Sequence, residues 1–244
     1  MWYLSFKLKA GYFSKTKIIV MQRFTLLLFS ILYISLSSCK TFHLSSVPKG
    51  AVIENKLPPL VPEFDYESFA VDYQDIYPAA ASILTGRPPN INTAIQKATT
   101  QLMVSEDTKL MFEGSFIKDI TNRVGKNSGY IVCRKGMRTK GIKSHLNPVV
   151  SILTLGLANV FGYKYATYVD ELEIVVDVYN NDNDLIASYN DFGKGTADVR
   201  MYKGYSGRGA RRLAHAKAFA HALEGIKDQI NGDQKKISAL LYTD

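Results

Sequence analysis

ELEIVVDVYNNDNDLIASYNDF, residues 171–192, decides how the rest of the chain is read. Leu172, Ile174, Val176 and Val178 occupy every second position between Glu171 and Tyr179, the period at which a strand turns one face to a core. Asn180 to Asp184 are all Asn or Asp, which favour turns because their short side chains hydrogen-bond nearby backbone. Leu185 to Phe192 is therefore expected to return beside the first strand as an antiparallel hairpin.

Downstream, Leu213, Ala216, Ala220, Leu223, Ile226 and Ile230 recur at the three- and four-residue spacing of one helix face between Gly209 and Ile230. The alanines are small enough to let that helix lie close on a sheet. Upstream, Gly129 to Arg134 (GYIVCR) reads as a buried strand and Tyr66 to Tyr73 (YESFAVDY) as another. Asn92 to Val104 reads as a helix capped by Asn92, with Ile95, Ala98, Leu102 and Met103 near one side. This order predicts an α+β fold over residues 66–244, an antiparallel or mixed sheet with two main helices packed on one face.

Phe24 to Leu36 (FTLLLFSILYISL) is an uncharged run of 13 residues behind Arg23. It is short of the roughly 20 residues a transmembrane helix needs, and it fits a signal-peptide core. The Leu36-Ser37-Ser38-Cys39 that follows resembles the lipobox of bacterial lipoproteins, an aliphatic residue and two small ones before the cysteine that receives diacylglycerol. The resemblance implies a signal peptide over residues 21–38, cleavage before Cys39, and lipidation of Cys39. Competing readings are a signal peptide cleaved without lipidation and an apolar first helix with a chance cysteine. Met1 to Val20 precedes an already complete signal and is expected to be an upstream extension, with Met21 the true start.

Two or three acyl chains on one cysteine hold a protein almost permanently, because each buried methylene contributes about 0.8 kcal/mol. Lys40-Thr41 lacks the Asp that retains enterobacterial lipoproteins in the inner membrane, and lacks the acidic cluster of Bacteroidetes surface-export signals. The resemblance thus implies the outer membrane, facing the periplasm. Residues 39–65 carry Pro48, Pro58, Pro59 and Pro62 without an apolar period, so they read as an extended tether reaching about 80 Å.

The formal net charge of +8 suggests nucleic acid at first sight, but the first 38 residues hold five cations and no acid. Without them 25 basic residues face 22 acidic ones, a net +3, and no nucleic-acid motif accompanies that balance. No nucleic-acid partner is expected. With Cys39 lipidated, Cys133 has no disulfide partner in the chain, and its apolar strand makes it a small core residue rather than a nucleophile.

Two segments carry candidate chemistry. Val149, Ile152, Leu153, Leu155, Leu157, Val160 and Phe161 make 148–161 an almost uncharged run, read as a buried element or as an apolar patch for a partner or membrane. Lys203, Gly207, Arg208, Arg211 and Arg212 surround a glycine-rich approach to the terminal helix, whose free N–H groups suit an anion or an acidic partner. The loop has neither the Gly-Lys-Ser/Thr ending of a P-loop nor a dinucleotide fingerprint.

Asn180, Asp182, Asp184 and Asp191 match four spacings of a calcium loop, but Leu185 stands where the sharp turn needs glycine. His145, His215 and His221 form no zinc motif and read as surface residues, and no GxSxG elbow occurs. No metal or cofactor is expected.

The C-terminal half, residues 171–189 with the alanine-rich helix, resembles small periplasmic domains of lipoproteins that assist envelope transport or assembly, including the curli-secretion and transporter-auxiliary kinds. That resemblance covers about a third of the chain and implies a non-enzymatic accessory that binds an envelope protein. The alternative is a ligand-binding or hydrolytic lipoprotein with a pocket near Val149–Phe161 and Gly204–Arg212.

Overall fold

The computed structural model describes residues 41–47, 53, 55–70, 102–144, 164–200 and 204–242. These form an α+β fold around a mixed four-stranded sheet, ordered β1-β2-β3-β4. The strands are β1 (Val61–Phe64), β2 (Gly129–Ser144), β3 (Lys164–Asn180) and β4 (Leu185–Arg200). β1 pairs parallel to β2, whereas β2, β3 and β4 pair antiparallel in succession. A 3-10 turn (Leu44–Ser46) and three longer helical elements complete the described fold: α1 (Tyr66–Ala70), α2 (residues 102–120, with π-helical turns at Phe112–Phe116) and α3 (Gly207–Leu241).

The strict alternation in residues 171–179 has the expected outcome. Leu172, Ile174, Val176 and Val178 are fully buried on one face of β3. They share a core with Ile131 and Cys133 of β2, Phe112, Phe116, Ile117 and Ile120 of α2, and Phe219, Ile226 and Ile230 of α3. Both main helices therefore lie on the same side of the sheet. The turn is closed by Asn180, whose side-chain oxygen accepts from the backbone N–H of Asp182 at 3.0 Å and of Asp184 at 2.8 Å.

α3 runs antiparallel to β4 at unusually close range. A Cβ on Gly193 would overlap the Ala218 carbonyl oxygen, and one on Gly195 would overlap that of Ala214. The two glycines in β4 and the buried alanines Ala210, Ala214, Ala218 and Ala222 of α3 remove the side chains that would hold backbone from backbone. α2 runs beside α3 in the same direction, Asp107 reaching Arg212 near one end and Asp119 reaching Lys227 near the other.

Four sequence expectations need correction. Tyr66–Ala70 is a helix, not the start of a strand, because Asp65 caps it: its carboxylate accepts from the N–H of Glu67 at 3.0 Å and of Ser68 at 3.2 Å. Phe69 is thereby turned inward, stacked on Phe64 with ring centroids 4.4 Å apart. Residues 71–101, which include most of the expected Asn92–Val104 helix, lie outside the described residues; the described helix covers 102 to 120, well past the expected end at Val104. The strand begun by GYIVCR extends ten residues further, to Ser144, and β3 begins at Lys164.

The fourth correction concerns the tether. Phe42, Val47, Ile53, Leu57 and Leu60 are buried, and Val61–Phe64 is an edge strand of the sheet. Pro62 is tolerated there because an edge strand leaves one row of backbone groups unpaired. The described part of 41–64 is thus packed onto the domain. Phe42, Leu44 and Val47 lie with Met111 and Ala220 beside α2 and α3, and the Leu57 N–H donates to the Ile120 carbonyl at 2.8 Å.

Candidate anion-binding pole and buried charge cluster

One end of the molecule gathers the C-termini of β2 and β4, the N-termini of β3 and α3, and Phe42. Ser144 is paired with Ala166 and Lys164 with Arg200, while an isolated bridge joins Val199 to Tyr205 just ahead of α3. The Arg212 guanidinium, near the start of α3, lies 4.9 Å from the Phe42 ring centroid.

The glycine-rich approach to α3 is organised differently from the sequence expectation. Ser206 caps the helix, its hydroxyl accepting from the Gly209 N–H at 3.2 Å and its carbonyl from the Ala210 N–H at 2.8 Å. Part of the expected anion cradle is therefore used by the protein itself. Gly207 opens the helix against the Tyr168 hydroxyl. Arg211 lies over the Tyr168 ring at 5.4 Å, and Arg212 forks onto Asp107 with bonds of 2.8 and 2.9 Å. Arg208 is exposed. Lys203 lies outside the described residues, as do Leu36, Ser37, Ser38 and Cys39 and the apolar positions Val149, Ile152, Leu153, Leu155, Leu157, Val160 and Phe161.

Beside that helix start lies an open cleft of about 630 Å³ which sequence reasoning did not anticipate. Five cations line it, Lys143, Lys164, Lys194, Arg200 and Lys217, against the single carboxylate of Asp198. They come from three strands and a helix, so no local charge run signals them. Asp198 is shared: Lys164 approaches it at 2.8 Å, Arg200 at 3.7 Å, and the Thr167 hydroxyl donates to it at 2.8 Å. Burial raises the Asp198 pKa, but Lys164 and Thr167 outweigh that and hold it below the usual carboxylate value. Lys194 pairs with Glu171, and Lys217 donates to the Thr196 carbonyl at 3.3 Å. Even with Glu171 counted, cations exceed acids, which suits the cleft to a phosphate-type anion.

A second polar constellation is enclosed between the sheet and both helices. Arg138 donates through Nε to Asp170 Oδ1 at 2.8 Å and through a second nitrogen to Oδ2. His215, read from sequence as a surface residue, is 2% exposed and lies beside this pair. Its Nδ1 is 2.9 Å from both the Arg138 terminal nitrogen and Asp170 Oδ2, and its Nε2 is 3.2 Å from the Thr108 hydroxyl.

Thr108 already donates its only proton to the Val104 carbonyl at 2.6 Å, so it accepts from His215 Nε2–H. In neutral His215, Nδ1 then accepts from Arg138. Burial lowers the His215 pKa, and the Arg138 charge lowers it further against the opposing pull of Asp170. Burial alone would raise the Asp170 pKa, but His215, when protonated, and the Arg138 guanidinium hold it well below the usual carboxylate range. With side chains 2–5% exposed, Arg138, Asp170 and His215 meet no ligand in this arrangement and serve to join β2, β3, α2 and α3.

The remaining candidates are used structurally. Cys133 is fully buried, and desolvation pushes its thiol pKa up, which suppresses the thiolate. Asp191, the last member of the calcium-like spacing, pairs with Ile174 within the sheet and sits against Gly225, away from the turn that Asn180 closes. His221 is exposed, and His145 lies outside the described residues. Among the described residues no helix is long and apolar enough to cross a membrane, and no group of His, Cys, Asp and Glu is arranged to hold a metal. No family model matches this chain, and no curated protein matches it significantly.

Proposed function

We propose that the protein is an envelope lipoprotein, acylated on Cys39 and facing the periplasm from the outer membrane, whose α+β domain is a non-enzymatic accessory of envelope transport or assembly. The lipobox-type sequence Leu36-Ser37-Ser38-Cys39 behind a 13-residue apolar run carries the reading. The fold is compatible with it: the conspicuous His-Asp-Arg cluster is sealed in the interior, and the polar cavity at the pole is open and basic, a surface for binding.

Intact-mass analysis of wild type and Cys39→Ser in membrane and soluble fractions of a bacterial host tests the proposal. A wild-type product starting at Cys39 with the added mass of acyl chains, and a variant left unprocessed, is the expected result. An unmodified Cys39 in wild type overturns it. The alternative, a ligand-binding lipoprotein, draws its support from the size of the basic cleft, about 630 Å³, which is within the range of small-molecule sites.

A further inference from the structure

We infer that the pole carrying the basic cleft docks on the bilayer, with anionic phospholipid headgroups meeting Lys143, Lys164, Lys194, Arg200 and Lys217. The inference rests on acylation of Cys39 and adds to it an orientation and a lipid chemistry. It begins from covalent reach. Phe42 is three residues from Cys39, and three extended residues span at most about 11 Å.

Phe42 is not at the end of a free tether. It is buried in a cluster with Ala210, Leu213 and Ala214 of α3 and Ala197 of β4. Ala197, Leu213 and Tyr205 of that cluster also line the basic cleft. Lipid chains on Cys39 would therefore hold Phe42, which lies at this end of the domain and not the opposite one, within about 11 Å of the lipidated residue.

The charge distribution agrees with that orientation. The cleft presents five cations to one lining carboxylate, and exposed Arg208 on the first turn of α3 adds another. Asp198 is shared by Lys164 and Arg200 and Glu171 pairs with Lys194, so five cations face two acids and the cleft keeps an excess of three. At the other end, exposed Asp182 and Asp184 of the hairpin turn and Asp228 and Asp233 of α3 are matched by exposed Arg123, Lys126, Lys235 and Lys236, so no comparable excess of positive charge gathers there. A surface that places its excess positive charge toward headgroup phosphates gains attraction from each cation within a Debye length.

The test uses the full-length protein expressed with its leader, purified from membranes and reconstituted into phosphatidylcholine vesicles with and without phosphatidylglycerol. Accessible lysines are acylated with a membrane-impermeant reagent and read by peptide mass spectrometry, while intact mass on the same sample reports whether Cys39 is lipidated. Exposed Lys235 and Lys236, near the C-terminal end of α3, are the internal reference.

With Cys39 acylated, labelling of Lys143, Lys164, Lys194 and Lys217 is expected to slow about fivefold relative to that reference when phosphatidylglycerol is present. The protection should disappear in about 1 M salt, where the Debye length is about 3 Å. Equal labelling of cleft and reference lysines on an acylated protein overturns the docking and leaves the lipoprotein intact. Absence of acyl mass overturns the lipoprotein reading itself, and the docking with it.

Discussion

Arg138 and Asp170 meet across β2 and β3 only because β2 carries a bulge. The register shifts between Lys135, opposite Ile174, and Arg138, opposite Leu172. Without the extra residue Met137 would face Leu172 and Arg138 would point outward. With it, Met137 is 70% exposed and the Arg138 side chain is enclosed against Asp170. A bulge re-aims a side chain in this way by breaking the period of two.

Breaking that pair from one side leaves a buried charge without its partner. Arg138→Met and Asp170→Leu are each expected to cost about 3–5 kcal/mol, whereas the double variant should lose less than the sum because neither charge remains. Urea denaturation of both single variants and the double variant measures the coupling. Strict additivity would mean that the interaction contributes nothing to the folded state.

The same cluster predicts a pH dependence. The folded-state pKa of His215 lies below its unfolded value, so the unfolded chain binds the proton first as pH falls. The stability His215 provides while neutral is fully present above its unfolded pKa of about 6.5 and declines below it, until pH reaches the lower folded value. Asp170, also shifted down, retains its contribution until pH drops below about 4. His215→Gln keeps a polar group in the site and should flatten the loss of stability between about pH 6.5 and 5. An unchanged slope in that interval would show that other groups set it.

Close approach of α3 to β4 sets apart the glycines of this region. Gly193→Ala and Gly195→Ala each force a Cβ into helix backbone, and each is expected to destabilise by about 3 kcal/mol, the upper part of the usual overpacking range. For a chain of this size that is a fall in Tm of about 6–12 °C. Gly232→Ala, in α3 with open space where its Cβ would go, should instead stabilise by about 0.5–1 kcal/mol. Thermal melts of the three variants, with opposite signs for strand and helix, check the packing.

These contrasts also show why some of the molecule was legible in its sequence. Leu172 to Val178 are legible because their burial follows an unbroken local period; on α3 the same holds for Leu213, Ala216, Leu223, Ile226 and Ile230, whereas Ala220 is only half-buried and the alanines that meet β4, Ala214 and Ala218, lie off the expected face. The distal half of β2, KGMRTKGIKS, gave no such signal: its bulge breaks the alternation, and Arg138 is buried only because Asp170 and His215 await it from elsewhere in the chain. YESFAVDY has strand-like composition, but the Asp65 cap decides its first turn. The cleft was invisible for a related reason, since Lys143, Lys164, Lys194, Arg200 and Lys217 converge only once the strands pair and α3 folds back. Glycine spacing marked the approach to α3 but could not show that Ser206 caps the helix or that Asp107 takes up Arg212.

The segment read as a free tether offers a further test, because its proline content and its burial make opposite predictions. A solvated tether tolerates any polar or small substitution, whereas Phe42 is buried in the cluster that includes Ala210 and Leu213, with the Arg212 guanidinium over its ring. Phe42→Ala is expected to lose about 3 kcal/mol in apolar burial and cavity formation. It should also release residues 41–47, seen as faster backbone hydrogen exchange at Leu44 and Val47 with little change in the β3–β4 hairpin. Arg212→Lys retains a charge for Asp107 but removes the planar group stacked on Phe42, and should give a weaker version of the same local loosening. Wild-type stability and exchange in Phe42→Ala would restore residues 41–47 as a free tether; the expected loss ties them to the end of the domain that carries the basic cleft.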